Sequence, residues 1–394
     1  MLLNRDNFIH LNYGSNGVIC DYRSGNALFW LRNFEDHDYF FIEFLTSDCF
    51  DSYPLDKLIP TDILSKIKTD DNTFLLLSNT HEAFHSIVEG VYQHLIKSEI
   101  PLDKVILMNE SKDLHNEVSR VAEKLNVKPI QTEWSLIFEF SIKAQTHHIL
   151  NDIPKTLEVK EYPKKYLNFN RRWRAHRPLL VSLLIANNLL DYGSVSLGDS
   201  DDNNSWNTVF WWLEEYCKHD AELSKILETN KDRILNTPPL YLDKSDLKTN
   251  WVDNITSTKE LYENTLFSIV NETNFFTDKN NVATRGIRVE GSRFLSEKTF
   301  KPIANRHPFI IVSVPGMLDA LKELGYQTFH PYIDETYDTI QDDYQRMKCI
   351  IREVDRLSHM TKEQELEFIN NITPIVKHNL RTLLNRKQFV FRTL

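Results

Sequence analysis

The feature that most constrains this chain is an alternation running from Thr73 to Trp134. "TFLLLSNT" is a short apolar run with the length of a buried strand. In "HEAFHSIVEGVYQHLIKSEI", Phe84, Ile87, Val88, Val91 and Leu95 recur at the spacing of one helix face. "KVILMNE", "KDLHNEVSRVAEKLNV" and "KPIQTEW" then read as strand, helix and strand. A β-α-β-α-β order requires crossover helices and predicts a parallel sheet, so this half reads as an α/β, Rossmann-like domain. The aromatic-rich stretches "ALFWLRNF" and "DYFFIEFL" before it read as further strands.

A polar, Pro-containing segment, "NDIPKTLEVKEYPKK", marks a boundary, and the alternation restarts after it. "KYLNF" reads as a strand, "RAHRPLLVSLLIANNLL" as a helix and "GSVSLG" as a strand. "TKELYENT" and "LFSIV" follow as helix and strand, and "PFIIV" as a second dense apolar strand. "MLDALKEL" is a helix closed by Gly325, and two helices around 339–357 and 361–386 finish the chain, with a Thr373-Pro374 kink point in the last. The expected organisation is two Rossmann-like α/β domains in tandem, 1–160 and 161–360. A C-terminal helical segment, 361–394, is able to pack back across them. In such a fold, ligands bind in a cleft at the carboxyl ends of the strands.

Composition narrows the function classes. With 46 basic and 56 acidic residues the formal charge is −10, which argues against an evenly basic, nucleic-acid-gripping surface. The four cysteines (Cys20, Cys49, Cys217, Cys349) form no CxxC pair and suit reduced, packed thiols. No run reaches transmembrane length and the N-terminus lacks a signal-peptide pattern, so the expected location is the cytoplasm. Glycine is scarce, and no GxGxxG or Walker loop occurs; any phosphate must be held by side chains and helix ends.

Three constellations carry chemistry. "KKYLNFNRRWRAHR", Lys164 to Arg177, holds six Lys or Arg and no acid, and spans a strand end, a loop and a helix start. Arg forks there suit phosphate oxygens. A solvated basic loop is the plain alternative. A non-enzymatic nucleic-acid-binding protein, with Phe169 and Trp173 as stacking platforms, is another. The second constellation runs from a strand end at Asn271-Glu272-Thr273 through a polar loop to a helix start at Ser296-Glu297-Lys298. Ser296 fits an N-cap and Glu297 the first turn. The helix start equally suits an anion, held by backbone N–H groups and by Lys298.

The third constellation, "HEAFH", reads as H-E-x-x-H: His81 and His85 on one helix face and Glu82 as base, with Glu110 as a further ligand for zinc. That pattern gives the rival reading of a zinc-dependent hydrolase. His81, Glu82 and His85 also stand at the strand ends of the first domain, where one of them can act as a general base. "FWWLEEY" (Phe210 to Tyr216) reads as core or packing surface, and "DETYDTIQDD" as a solvated acidic loop and helix start.

The order F-S-x-x-x-E, a polar gap, F-x-S-E-K and P-F-I-I-V resembles the donor-binding signature of fucosyltransferase-type glycosyltransferases. Asn170, Arg177 and "DYGSVSLG" stand in the order of that family's earlier motifs, with Phe169 where the family has Ser. The resemblance covers roughly residues 165–330. "PGMLDALKELGYQTFHPYIDETYD" also resembles the tail of glycosyltransferase-like proteins of bacteriophages and other viruses, which would put the chain in a host cytoplasm. The resemblance implies a GT-B-like fold and an enzyme that moves a sugar from a nucleoside-diphosphate sugar to a hydroxyl by an inverting course, with no metal or other cofactor required. It also implies a second domain that binds the donor and a first that meets a glycan, small-molecule or modified-DNA acceptor. Arg172, Arg174, Arg177 and Lys298 would neutralise the diphosphate. Asn170 and Ser296 would line the donor, while Glu272 and Glu297 would accept hydrogen bonds from ribose or sugar hydroxyls.

Overall fold

The computed structural model describes residues 8–11, 19–20, 38–44, 49–52, 54–79, 87–149, 161–170, 174–197, 206–242, 258–277 and 291–386. The chain divides into two compact units, Met1–Ile137 with Lys387–Leu394, and Phe138–Arg386. The division falls ahead of the Pro-containing segment. Each unit holds its own parallel sheet flanked by helices, the α/β class predicted from the alternation.

Unit 1 carries strands β1 (Phe8–Leu11), β2 (Ile19–Cys20), β3 (Asp38–Glu43), β4 (Thr73–Asn79), β5 (Val105–Asn109) and β6 (Gln131–Trp134). The sheet order is β2-β1-β3-β4-β5-β6, parallel throughout except at β1/β2. From β3 onward each strand is added on the same side of the last. Right-handed crossovers wound in one direction leave their helices on one face of a sheet. The core agrees: Phe40, Ile42, Leu75, Leu77, Val105 and Leu107, alternate positions along three strands, join one cluster with residues of helices α1 (Thr61–Thr69), α2 (Ile87–Lys97) and α3 (Leu114–Leu125). α3 stops at Asn126, whose left-handed φ of 53° turns its N–H back onto the helix's last carbonyls. His81, Glu82 and His85 lie outside the described residues.

Unit 2 opens with α4 (Ile137–Ile149), whose first residue still belongs to unit 1, and carries β7 (Lys164–Asn168), β8 (Gly193–Val195), β9 (Thr265–Asn271) and β10 (Phe309–Val312). Its helices include α5 (His176–Ala186), α6 (Trp206–Cys217), α7 (Ala221–Thr229), α8 (Lys231–Asn236), α9 (Lys259–Glu263), α10 (Glu297–Ala304), α11 (Met317–Glu323), α12 (Asp343–Ser358) and α13 (Lys362–Asn385). The four strands are parallel in the order β10-β9-β7-β8. Gly193 pairs with Tyr166 across β7/β8, and a Cβ there would lie 2.1 Å from the Tyr166 ring. The Tyr-Gly pair that opens β8 therefore has a packing reason. Gly325, at φ 84°, closes α11 as expected. α13 runs unbroken through Pro374, and α10 contains Pro302.

One expectation holds in part. The acidic run Asp334 to Asp343 leads into the start of α12 as expected and exposes Asp334 and Asp342, but Asp338 and Asp343 are drawn inward to satisfy backbone N–H groups. Asp338 is buried and accepts from the Met317 and Leu318 amides at the start of α11 (3.1 and 3.0 Å). Asp343 is buried against Arg346. The aromatic segment in α6 divides: Phe210, Leu213 and Tyr216 are buried, whereas Trp211 is 52% exposed.

Candidate functional site

The chain runs from β7 outward to β8, returns across β7 to β9, and continues to β10. The winding direction reverses between β7 and β9, and in open α/β sheets the ligand crevice lies at the carboxyl ends of the strands at such a reversal. In unit 1 the strand order from β3 to β6 has no such reversal. Four segments meet at the β7/β9 ends: Asn168 to Asn170, the start of α5 at His176 and Arg177, Asn271 and Glu272, and the start of α10.

Side-chain amides link the two strand ends. Asn271 Nδ2 donates to Asn170 Oδ1 (2.6 Å), Asn170 Nδ2 to Asn168 Oδ1 (2.6 Å) and Asn168 Nδ2 to the Ile269 carbonyl (2.8 Å). Asn170 Nδ2 also donates to the Ser196 carbonyl, and the Asn170 N–H donates to Ser196 Oγ. All three asparagines are buried. Asn170, expected against the donor, thus has its amide engaged in joining β7, β8 and β9.

Glu272 is fully buried as well. Its carboxylate accepts from the Ser296 N–H (3.0 Å), Ser296 Oγ (2.6 Å) and Thr299 Oγ1 (2.6 Å), tying the end of β9 to the start of α10. It positions α10 rather than facing a sugar hydroxyl. The amides expected to form an open anion site are also occupied. Ser296 N–H goes to Glu272, Lys298 N–H to Ser296 Oγ, and Thr299 N–H to the Ser296 carbonyl. The capping serine and the buried glutamate meet the demand of the helix end, leaving side chains to supply positive charge.

That charge gathers around His176. The His176 Nε2–H donates to the Glu272 carbonyl (2.9 Å), which fixes the neutral tautomer, and the ring stacks on Phe275 at 5.5 Å. Burial first, and then the nearby charges of Arg177, Arg174 and Lys298, hold its pKa well below the usual histidine value. These cations come from the loop after β7, from α5 and from α10. Arg177 is buried, with Nη2 3.5 Å from the Asn271 carbonyl. Lys298 Nζ donates to Ser296 Oγ (2.9 Å) and lies 3.2 Å from Glu297 Oε1. Burial works to raise the Glu297 carboxyl, but Lys298 and Lys301 outweigh it and hold it below the usual range. Glu297 is therefore ionised at neutral pH and acts as a hydrogen-bond acceptor. Arg172 lies outside the described residues.

The sequence reading missed the support beneath this crevice. Arg346 of α12 is fully buried, its guanidinium 4.4 Å from the Phe275 ring centre. Its five N–H donors reach the carbonyls of Ser313, Ile340, Gln341 and Phe275 and the Asp343 carboxylate. Asp343 also accepts from the Thr277 N–H and Oγ1 (3.1 and 3.0 Å). The segment after β9 is thereby strapped to α12. The only sequence signal was an i,i+3 Asp-Arg pair, common on exposed helices. In unit 1, Glu110, considered as a zinc ligand, accepts from Ser135 Oγ (2.7 Å) and the Ile137 N–H (3.2 Å).

No protein-family model matches this sequence, and no curated protein matches it. Among solved structures, one described as "OtsA apo structure" is similar with a TM-score of 0.42 and 11% identity, over 89% of this chain and 72% of that chain.

Proposed function

We propose that the chain is a glycosyltransferase that uses a nucleoside-diphosphate sugar, with the diphosphate held at the β7/β9 crevice of unit 2. The observation that carries this reading is the convergence of Arg174, Arg177 and Lys298 on buried His176 at the point where the sheet reverses. In sugar transfer the acceptor oxygen forms a bond to the anomeric carbon as the bond to the diphosphate oxygen breaks. Negative charge then builds on the leaving diphosphate. Fixed cations placed where that charge develops lower the barrier. The neutral His176 adds no charge of its own and holds the Glu272 backbone in place. Glu297, kept ionised by Lys298 and Lys301, accepts from ribose or sugar hydroxyls.

With side chains neutralising the leaving group, the reading assigns no metal to the reaction. The transfer is a direct, inverting displacement onto a hydroxyl of a glycan, a small molecule or a modified nucleobase. The base that deprotonates this hydroxyl is sought among His81, Glu82 and His85. A thermal-shift panel of UDP-, GDP-, CMP- and dTDP-sugars tests the proposal. One donor is expected to stabilise the wild-type protein. Lys298→Ala, which removes a charge-assisted contact of about 1.5–3 kcal/mol, is expected to weaken that donor about ten- to a hundredfold, and Arg177→Ala at least as much. Absence of a shift with every donor ends the reading.

A further inference from the structure

The amide chain at the crevice has a fixed direction. Backbone carbonyls only accept hydrogen bonds, and the chain touches two of them: Asn168 faces the Ile269 carbonyl and Asn170 faces the Ser196 carbonyl. Both asparagines must therefore turn Nδ2 toward those carbonyls. Asn168 Oδ1 is then left to accept from Asn170, and Asn170 Oδ1 to accept from Asn271. Flipping Asn271 would set its oxygen against the Asn170 oxygen. Its orientation follows from the two carbonyls at the far end of the relay.

The consequence is an oxygen with nothing to accept. Asn271 Oδ1 is buried and has no hydrogen-bond partner among the described residues. A buried acceptor left unmet costs about 1–3 kcal/mol, and such groups are rare in native proteins. This one belongs to the last residue of β9, beside the reversal of the sheet, one residue before Glu272.

We infer that Asn271 Oδ1 is a specificity contact which accepts a hydrogen bond from the nucleoside part of the bound ligand, through a ribose hydroxyl or a base N–H. Phosphate oxygens are acceptors at neutral pH and cannot serve, so Asn271 divides the crevice into a cationic diphosphate end and a neutral, donor-reading end. Buried acceptors of this kind reject analogues that lack the matching donor. The inference rests on the nucleotide-sugar reading and adds the residue that inspects the nucleoside.

The test uses the full-length protein and isothermal titration with UDP and GDP. Each is compared with its 2′-deoxy and 3′-deoxy forms and with the base-methylated 3-methyl-UDP or 1-methyl-GDP. Loss of one neutral hydrogen bond weakens binding about three- to tenfold. One of these analogues is expected to bind the wild type that much more weakly than its parent. The deoxy and methylated series separate the ribose from the base as the source of the donor. In Asn271→Ala the parent should weaken by the same factor and the penalty for that analogue should vanish. Asn271→Ser, which retains a hydroxyl able to donate to Asn170 Oδ1, guards against an effect on folding alone and should likewise lose the discrimination. If every analogue binds the wild type like its parent, or if the penalty persists in both variants, the inference is overturned while the donor reading stands. If neither nucleoside diphosphate binds the wild type and no donor of the thermal-shift panel stabilises it, both fall together.

Discussion

Glu297 and Lys298 are neighbours in sequence with different chemical capacities: a carboxylate held ionised suits hydroxyls, and an ammonium suits phosphate. Ser296, held by Glu272, caps α10, so capping does not require either of them. Gly193 makes a similar point about packing. The Tyr166 ring fills the space a Cβ would need, while its hydroxyl donates to the Leu189 carbonyl at 2.9 Å and fixes the ring. Gly193→Ala is therefore expected to destabilise the protein by about 1–3 kcal/mol through overpacking, and calorimetry should show a lower Tm. Tyr166→Phe together with Gly193→Ala should recover little of this, because the clash is with ring carbons.

Among the elements, α12 supports the crevice from below through Arg346, although it contributes no residue expected to touch a donor. Arg346 gives all five donors to backbone carbonyls and Asp343, at 0% exposure. Arg346→Met would leave a buried Asp343 without its counter-charge, and removing one partner of a buried pair costs about 3–5 kcal/mol. Chemical denaturation should read that loss, and Asp343→Asn should cost less because the Arg346 guanidinium keeps its four backbone-carbonyl acceptors. This element also shows where sequence reading stops. Strands β4, β5, β9 and β10 were legible because uninterrupted apolar runs have few other ways to be buried, and helices α2 and α3 because their period is 3.6 residues. Asp338, Asp343 and Arg346 were not, because local composition cannot report that a distant loop will need their hydrogen bonds. At the site, Arg177 and Lys298 were legible as charge at strand exits. Asn271 was not: an asparagine at a strand end gains meaning only from the strand beside it.

At the scale of the whole molecule, no helix among the described residues is long and apolar enough to cross a membrane. The pH response of stability reflects groups buried in one protonation state. His307 donates Nε2–H to the Thr265 carbonyl and accepts at Nδ1 from Ser268 Oγ, and burial lowers its pKa from 6.5 to about 4. A depressed histidine pKa means that the unfolded chain binds the proton first. Its contribution is whole above pH 6.5 and is lost as the pH falls toward about 4, a change of about 3 kcal/mol. His307→Gln preserves one donor and one acceptor but does not titrate. The stability difference between wild type and this variant is expected to shrink across that window in denaturant titrations, and a constant difference would contradict the assignment.

The two units also share a corner of one design. Asn109-Glu110-Ser111 ends β5 and Asn271-Glu272-Thr273 ends β9. In each, the glutamate accepts from a serine hydroxyl and from a backbone N–H at the start of a helix. Helix-start amides lack intrahelical partners and are normally among the first protons a protein surrenders to deuterated solvent. The Ser296 amide has instead been handed to a carboxylate that water does not reach. Its deuterium clock should run with the core of the sheet rather than with the surface, measurable by residue-resolved exchange, and Glu272→Ala should return it to the fast class.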